Sequence, residues 1–270
     1  MSILSELFKY SFMTRAVIAG ILVSICSSLL GVSLVLKRYS MIGDGLSHVS
    51  FGALAIAAAL NMAPLAVSIP IVIIAAFFLL RITESGSMRG DAAIAVFSSS
   101  SLAIGIIVTG MTTGITTDVC NYMFGSVLAM GRTDVYISVV LSAAVLLMFV
   151  VFYNRIFAVT FDEPFSRATG VRVDLYNSAL AVLTAVTIVL GMRIMGALLI
   201  SSLIIFPALS AMRICRYFKG VIICAAVIST VCFFIGICAS FYLEIAVGAS
   251  VVITNLIVFI AFSLAARLRR

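Results

Sequence analysis

The sequence predicts an all-α polytopic membrane protein with about nine transmembrane helices, on three observations. Hydrophobic residues fill 64% of the 270 positions and charged residues only 10%, with a mean hydropathy of +1.31. Soluble domains are about 45–50% apolar and about 25% charged, and a soluble domain of this length has no interior large enough for the excess. The apolar stretches are also long and continuous, near the ~20 residues a helix needs to cross a bilayer, unlike the short alternating segments of a β-barrel. Finally, the basic residues cluster between those stretches, so the net charge of +7 reads as membrane orientation rather than as a nucleic-acid surface.

Taken in order, the spans fall at roughly 15–36, 45–62, 64–82, 91–111, 134–157, 173–192, 195–213, 220–241 and 248–266, each near the length that crossing requires. Their boundaries carry charge or turn signals: Lys37-Arg38, Pro64, Arg81 to Gly90, Arg155 to Arg172, and Arg213 to Gly220. The second and third spans are separated by little more than Asn61 to Pro64, so a count of eight to ten is compatible with the pattern. The run SSSS at Ser98 to Ser101 lies mid-span, where small hydroxyl residues favour close helix packing. No repeat of fixed period and no secretory signal pattern is visible, and the chain (1–270) reads as one transmembrane domain. The six cysteines are scattered with no CxxC, as expected of small packing residues.

Basic residues in loops mark the cytoplasmic side. With the C-terminus cytoplasmic, inner segments hold 13 of the 17 lysines and arginines, leaving Lys9, Arg15, Arg132 and Arg193 outside. An odd number of spans then puts the N-terminus outside. Two connections are long. The outer one, Thr112 to Thr133, passes from polar to apolar around FGS. The inner one, 158–172, reads AVTFDEPFSRATGVR, with a proline suited to a first helical turn, and predicts a short amphipathic helix on the inner face.

Asp44 and His48, the only histidine, stand at the mouth of the second span, where ionisable groups are costly and point to function. A spacing of four places both on one helical face. A carboxylate and an imidazole so placed can share a divalent transition metal. Two ligands are half a tetrahedral shell, and a two-fold dimer would supply four. The plainer reading makes Asp44 a helix N-cap and His48 a packing residue. Glu244 reads as a loop carboxylate or an entrance residue, Arg193 as a snorkelling residue, and Met41, Met192 and Met195 as packing rather than soft ligands. The chain has no P-loop and no HExxH, so neither an ATPase nor a metalloprotease is expected.

KRYSMIGDGLSHVSFGALA (Lys37 to Ala55) resembles the signature of the membrane permease subunits of zinc, manganese and iron ABC importers, with Gly43, Asp44, Ser47 and His48 at the matching positions. NYMFGSVLAMGRTDV (Asn121 to Val135), FDEPFSRATGV (Phe161 to Val171) and MGALLISSLIIFPALSAMR (Met195 to Arg213) resemble later family segments in the expected order. Gly45 stands where a bulkier small residue is common. The resemblance implies an architecture similar to the cobalamin and iron-siderophore permeases, with a counterpart of their outer segment at Glu244 to Gly248. It implies a homodimer in a bacterial cytoplasmic membrane, two cytoplasmic ATPase subunits that hydrolyse ATP, and an extracytoplasmic metal-binding protein. The transported zinc or manganese would be cargo, with no permanently bound cofactor, and Asp44 and His48 its ligands. Phe161, Asp162, Glu163, Phe165, Arg167, Ala168 and Gly170 would form the segment that couples to the ATPase. Two other readings stay open: a proton-coupled secondary cation transporter, which usually carries an inverted repeat, and a membrane scaffold without transport.

Overall fold

The computed structural model describes residues 11–84, 90–112 and 132–268, so the FGS-containing outer connection lies outside the described residues. Within them the chain forms eleven helices: α1 Ser11–Leu36, α2 Ile42–Ala59, α3 Pro64–Glu84, α4 Gly90–Met111, α5 Arg132–Val151, α6 Tyr153–Phe161, α7 Glu163–Ala168, α8 Val173–Met195, α9 Ala197–Ile214, α10 Phe218–Leu243 and α11 Val247–Leu268. Eight are long and apolar enough to cross a membrane, and α5 with α6 makes a ninth if that bent pair counts as one span. The fifth expected span is therefore not straight: its two helices meet at Phe152 with a bend of 79°.

The breaks between helices have local causes. At the end of α1 the Arg38 N–H donates to the Val35 carbonyl and the Tyr39 N–H to Leu34, with Arg38 left-handed at φ 64. The same double closure ends α2 around Asn61 (φ 53), whose N–H donates to Ala58 while Met62 donates to Ala57. Both are Schellman terminations, which satisfy the orphan carbonyls of the last helical turn. Asn61 and Pro64 thus suffice to separate two spans joined by so short a link.

Helix α1 runs through the centre, packed against α5, α8, α9 and α10. Ser24, Ser27, Ser28 and Ser33 are buried and let neighbouring backbones approach: the Ser229 hydroxyl of α10 donates to the Ser24 carbonyl of α1 at 2.9 Å. In lipid, such packing and interhelical hydrogen bonds hold helices together, because burial in protein gains little over burial in acyl chains. Helices α3, α4 and α11 are peripheral and expose rows of apolar side chains, such as Ile253, Ile257 and Ile260 on α11. Met192 and Met195 are buried in the packing.

Candidate functional site

Helix α2 is buried along its length, against α4 most extensively and also against α3, α8 and α9. Two glycines permit this. A Cβ on Gly45 would stand 2.5 Å from the Ile94 side chain of α4, and one on Gly52 would stand 2.7 Å from the Ser101 carbonyl oxygen. The second contact is with backbone, which cannot swing aside; of the mid-span serine run only Ser101 makes this approach, while Ser99 and Ser100 are exposed. From Ile42 to Ala55 only Asp44 and His48 escape burial. One narrow open strip on a central helix therefore carries the carboxylate and the imidazole.

His48 Nε2 lies 3.7 Å from Asp44 Oδ2, with the side chains 24% and 46% exposed. That is too long for a hydrogen bond. Two ligands roughly 2.0–2.2 Å from one ion and a tetrahedral angle apart are about 3.4 Å from each other, so a small rotamer adjustment admits a shared cation. Asp44 is not the helix cap: the N-cap is Met41, half exposed and without a side-chain bond, and Asp44 sits in the first turn. There its charge opposes the helix's positive end. The N-cap reading of Asp44 fails because α2 starts three residues earlier than the apolar run suggests. The described residues contain no cluster of three or more histidine, cysteine or acidic ligands, so this pair is the candidate, as two ligands of a larger shell.

The segment 158–172 is built from local signals. Asp162 caps α7, its Oδ1 accepting from the Phe165 N–H at 2.9 Å, and a proline follows in the first turn. Gly170, at φ 80, closes it: its N–H donates to Arg167 and that of Val171 to Ser166, again a Schellman end. Phe161 belongs to the preceding α6 rather than to α7, and with Phe165 it stands exposed. Ala168 is exposed as well. Arg167 grips Asp174 of α8 through two nitrogens, at 2.6 and 3.3 Å.

Sequence reasoning missed the joint beneath this segment. Lys37, at the end of α1, is only 7% exposed; its Nζ donates to Glu163 Oε1 at 2.6 Å and to Asn177 Oδ1, and Asn177 Nδ2 donates to the same Glu163 oxygen at 3.2 Å. Three separate helices meet in this triad. Lys37 had the signature of an orientation charge, and nothing marked Asn177 except a polar side chain early in an apolar span. The connector 37–41 then runs directly from Lys37 into α2. Glu244, by contrast, sits exposed and left-handed at the end of α10, as a loop carboxylate. Arg193 lies partly buried in the last turn of α8.

The whole of this assembly, residues 9–266, matches the ABC 3 transport family. The chain belongs to that family. Among relatives of this permease, the manganese import system permease protein ScaB of Streptococcus gordonii is 26% identical over 254 residues, 94% of this chain and 91% of the relative. The high-affinity zinc uptake system membrane protein ZnuB of Haemophilus influenzae is 28% identical over 252 residues, covering 93% and 96%. The solved structure of PsaBC from Streptococcus pneumoniae in complex with Fab matches the permease with a TM-score of 0.87 at 28% identity, across 99% of both chains. An inward-facing metal-chelate type ABC transporter shares the fold, with a TM-score of 0.74 at 14% identity.

Proposed function

We propose that the permease is the membrane subunit of an ATP-driven importer for a divalent transition metal, zinc or manganese, with Asp44 and His48 as ligands on the metal's path. The observation that carries this is the strip on α2: in an otherwise buried helix of an ABC 3 family permease, the exposed positions of its first three turns are a carboxylate and an imidazole 3.7 Å apart. A divalent ion crossing a low-dielectric interior needs ligands to replace its hydration shell, and binding must be weak enough to release it. A second copy of the chain, presenting the same strip, supplies the rest of a four-ligand shell.

ATP is hydrolysed on two copies of a separate cytoplasmic subunit, and an extracytoplasmic metal-binding protein delivers the ion. The ATPase docks on α7 and the exposed Phe161 and Phe165, with the C-terminus cytoplasmic and the N-terminus outside in a bacterial inner membrane. Support for that placement comes from Lys37 and Arg81, which lie with Glu163, Arg167 and Asp174 at one end of the bundle. The triad carries movement of α7 into α1 and the connector leading to Asp44. Family membership favours this over a proton-coupled secondary transporter.

The test is ATP-dependent zinc and manganese uptake into proteoliposomes containing the permease and its candidate ATPase. Asp44→Ala and His48→Ala should each abolish or sharply reduce uptake at unchanged membrane levels. Wild-type rates in both variants would remove the metal site.

A further inference from the structure

The ends of α9 and α11 enclose an open cleft of about 540 Å³ lined by Met212, Arg213, Cys215, Arg216, Ser263 and Arg267, among others. Its three arginines come from different segments: the last turn of α9, the link to α10 and the last turn of α11. All three are exposed, and none forms an ion pair among the described residues. Two other basic residues at this end differ, whereas Arg155 and Arg172, which line a separate cleft, also form no ion pair among the described residues. Lys37 is neutralised by Glu163 and Arg167 by Asp174. From residue 197 onward the chain has a single acid, Glu244, at the opposite end of α10, some 39 Å away by the rise of a 26-residue helix. Among the described residues no acidic side chain of this part of the chain reaches the cleft.

Two further features define the ligand. The Ser263 hydroxyl is buried against the cleft and has no hydrogen-bond partner, although most buried polar groups are paired. Next to the cleft an apolar surface begins: the Arg213 guanidinium stands 6.0 Å from the centre of the Phe259 ring, which packs edge-on against Phe206 at 5.9 Å. On α11 the row Ile253, Ile257, Ile260 and Leu264 is exposed along the same helix. Guanidiniums at a helix end above an exposed apolar face match a molecule with an anionic head and hydrocarbon tails. Arginine forks bind phosphate oxygens in paired hydrogen bonds, and the Ser263 hydroxyl donates a further one once its side chain rotates toward the cleft. The rule that basic residues mark one side of a membrane explains the sign of these charges. It does not explain their convergence on one cleft with an orphan hydroxyl.

We propose that the cleft between α9 and α11 binds the phosphodiester of an anionic phospholipid, through Arg213, Arg216 and Arg267 with Ser263, and holds the lipid as a structural ligand of the permease. The site is separate from the α2 strip and does not depend on the metal reading. Each basic group near an anionic headgroup contributes modestly, and three together correspond to a preference on the order of a hundredfold over a zwitterionic lipid.

The test is native mass spectrometry of the delipidated permease titrated with phosphatidylglycerol or phosphatidylcholine. Wild type should retain phosphatidylglycerol preferentially. The triple variant Arg213→Gln/Arg216→Gln/Arg267→Gln should bind the two lipids alike, while elution and the thermal midpoint of the lipid-free protein stay at wild-type values. Arg81→Gln/Arg155→Gln, with arginines outside the cleft, should keep the preference. An unchanged preference in the triple variant, or an equal loss in the control, would overturn the site. Displacement of the lipid by inorganic phosphate at matched concentration would assign the cleft to a free anion instead. Loss of ATPase binding in the triple variant with lipid retention intact would assign it to the partner protein.

Discussion

Replacing Glu163 by alanine leaves the Lys37 ammonium, 7% exposed, with the Asn177 carbonyl as its remaining partner among the contacts of the triad. Removing one member of a fully buried ion pair costs about 3–5 kcal/mol, because the other charge stays desolvated. Glu163 is itself 34% exposed, so water can enter the space it leaves, and the expected loss falls to about 2–3 kcal/mol. The exposed pair at the other end of α7 provides the comparison. Arg167 and Asp174 are 50% and 72% exposed, where a pair is worth about 0–1 kcal/mol. On the scaling of soluble chains of similar length, Glu163→Ala should lower the unfolding midpoint by roughly 4–12 °C and Asp174→Ala by no more than about 4 °C. The chain has no tryptophan, so unfolding is best followed with a thiol-reactive dye that reports exposure of the buried Cys26 and Cys232. Lys37→Met/Glu163→Leu, which removes both charges, should recover much of the loss. Equal shifts for Glu163→Ala and Asp174→Ala would refute the reasoning, as would a double variant no more stable than the single one.

Two further outcomes are expected. Gly52→Val places a Cβ 2.7 Å from the Ser101 backbone oxygen; overpacking of this kind costs about 1–3 kcal/mol, so stability should fall and uptake with it, measured by the same dye and by proteoliposome transport. The α2 strip should bind metal through the Asp44 carboxylate and the His48 imidazole, 3.7 Å apart. Zinc binding, read by calorimetry on the purified permease, should therefore lose most of its affinity in both His48→Ala and Asp44→Ala, and wild-type affinity in both would refute the pairing.

Much of the segment 158–172 was legible because its signals are local. Asp162 before a proline marks a helix start and Gly170 a helix end, and both act within a few residues of themselves. The Asp44–His48 spacing was legible for the same reason, since four residues define one turn wherever the helix lies. Asp44 misled as a cap because the second span reads as beginning at Gly45, whereas the helix is already hydrogen-bonded there, the Gly45 N–H donating to the Met41 carbonyl. The bend at Phe152 divided a single hydrophobic run that contains neither proline nor glycine at the break.

The sequence alone determined that the chain lives in a bilayer, where its spans lie, which charges cluster together, and that one helix pairs an aspartate with its only histidine. Tertiary structure decided which face of α2 stays open, that Lys37 meets Glu163 and Asn177, and that three arginines converge on one cleft. The division has a physical cause. A helix between water and a protein core displays its buried face as an apolar stripe, but a span surrounded by lipid and protein is apolar on every side. Hydrophobic patterning then carries no record of which neighbour each face touches. That information resides in small residues such as Gly45 and Gly52, whose partners become known only when the helices are packed.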